Sequence, residues 1–154
     1  MEKEGLKYQG ALSQMRVTQS KPSWIELEWI DERSDNKTSW IAVTLNLNGE
    51  TATALSPAIP IKKARHGVHR AAIATLKAIE LLVHHQFACE LVDLEIVHAL
   101  GATLVMVRVR LTLEGAPVEL FGSARAGEDF LAAAAGAALD ATNLYIDYIL
   151  SPHE

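Results

Sequence analysis

"TLVMVRVRLTLEGAPVELFGSARAGEDFLAAAAGAALDATNLYI", residues 103–146, decides the fold of this chain. Its first quarter alternates. Val105, Val107, Val109, Leu111 and Leu113 fall on one side, with Arg108 and Arg110 on the other. Period two marks a half-buried strand. "EGAP" (114–117) turns the chain, and "VELFGSA" (118–124) reads as a returning strand. Glu128 and Asp129 then open a helix over 128–150, where carboxylates offset the helix dipole. From Ala132 to Ala138 that helix is built only of alanine and Gly136. A mid-helix glycine costs roughly 1 kcal/mol relative to alanine unless close packing needs it. One face of this slim helix is expected to lie tight on the sheet, and the other is read as open to a partner helix or a small ligand.

Reading outward, "CELVDLEIVHA" (89–99) supplies a strand before this stretch, and the same order occurs earlier in the chain. "WIELEWI" (24–30) alternates, with Ile25, Leu27 and Trp29 on one side; "WIAVTLNL" (40–47) alternates again. "NGE" (48–50) is a hairpin signal, because Asn-Gly accepts the positive φ of a type I′ turn. "TATALSP" (51–57) returns as a third strand, and residues 64–84 carry apolar positions at helical spacing. "IAVTLNLNGE" lies over "VRVRLTLEGA" at a shift of about 66, and "AAIATLKAIELL" over "AAAGAALDATNL" at about 63. The expected fold is therefore α+β: two strand–strand–strand–helix units, residues 23–86 and 88–150, in one domain over 23–154 behind an arm at 1–22. A short strand near Leu12 to Val17 is read within the arm.

A three-stranded antiparallel sheet with one helix covers one face. The other face carries Arg108 and Arg110 beside Asp93 and Glu95, which suit cross-strand ion pairs. Trp24, Trp40 and Phe121 are candidates for bare apolar surface there. The last helix adds Leu144, Tyr145, Ile146, Tyr148, Ile149 and Leu150, more than a single 100° stripe can bury. Both observations favour a homodimer, since two-fold pairing is the commonest cover for such surface.

Net charge is −5, which disfavours a general nucleic-acid binder. The basic run "KKARHGVHR" (62–70) has two readings, an anion site or a solvated helix entrance. The single cysteine, Cys89, excludes an internal disulfide and reads as a buried, inert thiol. No secretory leader and no membrane span are expected, so the cytoplasm is the expected compartment.

Chemistry-bearing motifs are sparse. His66 and His69 share a helix face at i, i+3, but a metal needs three or four ligands, and no metal or cofactor is expected. His84 and His85 sit at a helix end, where they favour the dipole. His98 is a lone strand histidine. Ser123, in "GSA", lacks the nucleophile-elbow pattern, and "GSARAG" lacks the lysine of a phosphate loop. The chain is not read as an enzyme.

Residues 91–146 resemble the C-terminal regulatory domain of 2-isopropylmalate synthase and its relatives, the citramalate and homocitrate synthases. That domain has the same duplicated plan. Its second unit runs as a strand, a G-x-G turn, an acidic residue and a helix patterned "A-s-x-x-A-l-x-d-A-l-n". Here Gly122, Ser123 and Ala124 stand at the turn, with Ala124 in place of the second glycine. Asp129 stands at the acidic position, and Ala134, Ala138, Leu139, Asp140, Ala141 and Asn143 follow the helical pattern. The resemblance implies a branched-chain amino-acid effector held by Gly122, Ser123, Ala124, Asp129, Ala134 and Ala138 near a dimer interface. A barrel of about 250 residues does not fit beside this domain, so it implies a regulatory module without the synthase reaction. The alternative is a structural dimerisation or protein-interaction domain with no ligand.

Overall fold

Alternating strands and two amphipathic helices give an α+β architecture with two antiparallel sheets. The computed structural model describes residues 24–63 and 67–151. The arm at 1–22, the strand read near Leu12 to Val17, and His66 lie outside the described residues. The first unit comprises β1 (Ile25–Ser34), β2 (Thr38–Leu47), β3 (Glu50–Leu55), a two-residue β4 (Ile59–Pro60) and α1 (Val68–Leu82). The second comprises β5 (Ala88–Ala99), β6 (Ala102–Leu113), β7 (Ala116–Arg125) and α2 (Phe130–Leu150). Sheet order is β1-β2-β3, with β4 also on β2, and β5-β6-β7.

The turns follow from local chemistry. Asn48–Gly49 and Glu114–Gly115 both have positive φ, the type I′ geometry expected for the first pair. Helix α2 begins two residues later than the acidic pair suggested, because Asp129 is its cap: Oδ1 accepts from the Ala132 N–H at 3.0 Å. Strand β3 ends two residues short of Pro57. Beyond it the Ser56 hydroxyl accepts the Ile41 N–H at 2.8 Å and the Ser56 N–H donates to Ile41 O at 2.8 Å, so the edge of β2 stays satisfied.

Two expectations change in the sheets. Ile25, Leu27 and Trp29 do not share one side. A bulge between Leu27 and Trp29 adds one residue to β1, so Ile30 faces Val43 and the core while Trp29 turns outward. There the Arg33 guanidinium lies 4.9 Å from its ring centre. A second bulge, between Leu91 and Asp93, shifts β5 in the same way. Arg110 therefore pairs with Glu90 at 3.3 Å; on its other side, where β6 and β7 run in regular register, it pairs with Glu119 at 3.0 Å, and Arg108 pairs with Glu119 at 3.2 Å. Asp93 lies opposite Arg108 in register, but its carboxylate accepts the Leu94 N–H. A slight loss of water pulls the Glu119 carboxyl upward, and the hydrogen bonds from Arg110 and Arg108 outweigh it and hold it below the ordinary range.

The helices explain the alanines. Helix α2 packs on β6 and β7 of its own sheet, on α1, and on β1 of the other unit; α1 packs on β2 and β3, on α2 and on β5. One contiguous core results. The side of α2 read as open to a partner or ligand is therefore taken by α1 and β1 of the same chain. Ala134 and Ala138 are wholly buried. Gly122 is the tightest point, because a Cβ there would overlap Ala137 O and Ala141 N on the helix backbone. Gly136 faces Ala124, where an added Cβ would meet the Ala124 Cβ at 3.3 Å.

Among the described residues no helix is long and apolar enough to cross a membrane. Trp24 and Phe121 are exposed, as are Leu144 and Tyr148 on α2, whereas Trp40 is half-buried.

Candidate functional site

Strand β5 presents Ile96 and His98 to the helix side of its sheet, since they stand opposite Val105 and Thr103. At this end the strand runs past the helices, so Ile96 is 44% exposed despite facing inward. The two helix N-termini meet in front of it. Gly67 caps α1 without a side-chain hydrogen bond, and a Cβ on it would lie 2.8 Å from Ile41 Cδ1 and 3.1 Å from Leu131 Cδ2. Gly67, Val68, Ile96, His98, Glu128, Asp129, Phe130 and Leu131 enclose a cleft of about 570 Å³.

The cleft has an apolar interior and a polar rim. Val68, Ile96, Phe130 and Leu131 supply hydrocarbon surface, and Glu128 and Asp129 supply carboxylates. His98 Nδ1 lies 2.9 Å from Thr103 Oγ1, which fixes the ring. Just behind α1's first turn, Arg70 reaches Glu32 at 3.1 Å, tying the helix start to β1. Two helix N-termini carry partial positive charge, while the rim carboxylates are negative. A small molecule with an apolar body, an ammonium and a carboxylate matches all three features.

Of the residues expected to hold a ligand, only Asp129 lines this cleft. Gly122, Ser123 and Ala124 lie within β7, not in a turn; the turn is formed by Ala126 to Asp129. The inward positions of β7, Gly122 and Ala124, pack on α2, while the Ser123 N–H donates to Asp140 Oδ2 at 2.9 Å and so closes part of the β7 edge. Ile96, Phe130 and Leu131 escaped sequence reading, and the sequence shows His98 only as a lone strand histidine, because alternation shows which side a residue faces and not where a helix stops covering it. Among the described residues no group of three or more His, Cys, Asp or Glu is placed to hold a metal.

Burial pushes the Cys89 thiol up to about 12, with Glu80 adding its negative charge. At pH 8 native Cys89 should react with iodoacetamide about a thousandfold more slowly than in urea, because the thiolate is the nucleophile. Equal rates in a time course followed by mass spectrometry would show an accessible, ionisable thiol instead. The protonated thiol favours the fold below pH 9, and that contribution is lost as pH rises from 9 towards 12.

Compared with known protein families and with curated proteins, the chain matches none.

Proposed function

We propose that this chain is a non-catalytic regulatory module that binds a small amino-acid-like metabolite with an apolar side chain. The cleft where the two helix N-termini meet carries this reading, because its apolar walls and carboxylate rim match such a zwitterion. Asp129 contributes an acceptor for the ligand's ammonium through the carboxylate oxygen not used in capping α2, and the first turn of α1, which no side chain caps, favours the ligand's carboxylate. Val68, Ile96, Phe130 and Leu131 receive the side chain.

Calorimetry and thermal shift with leucine, isoleucine, valine and other small metabolites test it. The expected result is at least one ligand with a dissociation constant of about 1 mM or tighter, roughly −4 kcal/mol. Asp129→Asn keeps a good helix cap but removes the charge. It should weaken that ligand about tenfold while leaving the melting temperature of the free protein nearly unchanged. No binding by any compound in the series would sink the effector reading.

The second reading, a structural dimerisation domain with no ligand, is favoured by the exposed Phe121, Leu144 and Tyr148.

A further inference from the structure

The β5–β6 hairpin closes through Leu100 and Gly101, with φ of +54° and +75°. Two positive φ values define a type I′ turn, which favours Asn-Gly. The equivalent positions of the other two tight turns hold asparagine and glutamate. A leucine is disfavoured in this left-handed conformation. Leu100 is also the most exposed large apolar residue described, at 105% of its reference surface. Between Glu95 and Arg108 the chain has no Asp, Glu, Lys or Arg. An apolar hairpin end without gatekeeper charges is prone to association.

We propose that this hairpin tip docks into the helix-end cleft of a second copy of the chain, with the second copy's tip in the first cleft. Knob and hole lie at the same end of β5, with Leu100 in the turn four residues beyond Ile96. That separation is roughly 13 Å at 3.3 Å per residue. A two-fold axis near the end of β5 therefore satisfies both contacts with a single patch. Leu100 meets the apolar walls of Val68, Phe130 and Leu131. Charge does not oppose it: the hole is rimmed by Glu128 and Asp129, and the tip carries no Asp or Glu that these carboxylates would repel. A lipid surface fits worse. One leucine with no lysine or arginine beside it is a weak anchor, and the two rim carboxylates are repelled by anionic headgroups. Leu100 takes the walls that would receive the metabolite's side chain, so the docked pair is the ligand-free state and a metabolite in the cleft should displace the tip.

Multi-angle scattering on the ligand-free full chain at micromolar concentration tests it. The wild type should run at about twice its 16.8 kDa. Leu100→Asn suits the type I′ turn, so it should melt at the same temperature or higher and yet run as a monomer. Ile96→Glu alters a half-exposed position in the hole and should raise the dimer dissociation constant at least about tenfold, as loss of an interface anchor does. A monomeric wild type would overturn the proposal. So would a dimer that survives Leu100→Asn, which would place the contact elsewhere, such as at Leu144 and Tyr148. Binding of monomeric wild type to phosphatidylserine vesicles, lost in Leu100→Asn, would assign the tip to a membrane and overturn it equally.

Discussion

Replacing Gly122 with alanine is expected to lower the unfolding free energy by about 3 kcal/mol, at the upper end of overpacking costs. The added methyl would overlap Ala137 O and Ala141 N and stand 2.7 Å from Ala141 Cα. All three are backbone atoms of α2, so no rotamer change relieves them. The helix must lift from β7, and lifting it opens space beside Ala134 and Ala138, which are wholly buried. At about 2–4 °C per kcal/mol for a chain of this size, the melting temperature should fall by roughly 6–12 °C. Gly136→Ala is the matched control. Its new methyl meets only the Ala124 Cβ, at 3.3 Å, and helix propensity gains roughly 1 kcal/mol. It should be neutral or stabilising. Equal melting temperatures for wild type and Gly122→Ala would mean that α2 does not sit directly on β7.

Asn143→Ala should cost about 2–4 kcal/mol, because it strands two buried backbone groups. The Asn143 side chain behaves as one residue of a missing strand. Its Oδ1 accepts the Ile25 N–H at 2.9 Å and its Nδ2 donates to Ile25 O at 3.0 Å. Asn143 is 6% exposed, so water does not replace the lost bonds. The contact fastens the start of β1 to the helix of the second unit, 118 residues away. Asn143→Leu should not rescue it, since volume is not the missing element. Asn143→Asp should also destabilise, by setting a carboxylate against Ile25 O. Urea unfolding at constant slope measures the loss, and hydrogen exchange should show the Ile25 amide losing protection. A variant within about 0.5 kcal/mol of wild type, the range of neutral surface changes, would show that the clamp contributes little.

The order of elements was legible in the sequence because it is written in local periodicity. Period two in 40–47 and 103–113, the turn pairs Asn48–Gly49 and Glu114–Gly115, and the cap at Asp129 act over a few residues each. The α+β class and its doubled plan follow from those signals alone. Composition also showed that the helix of residues 132–138 must be slim. It could not show against what. Gly122 and Ala137 are fifteen positions apart, and which backbone approaches which depends on how the two units close over one core. The bulges in β1 and β5 were equally hidden. An extra residue leaves the composition of a strand unchanged but reverses every side chain beyond it, sending Trp29 out and setting Glu90 opposite Arg110. The cleft is the clearest case. Ile96, His98, Val68 and Phe130 come from three elements, and each is unremarkable in its own segment. They form one site only because β5 outruns the helices while both helix N-termini arrive at that end. Local pattern fixes which way a side chain faces; only the packing of distant segments fixes what it faces.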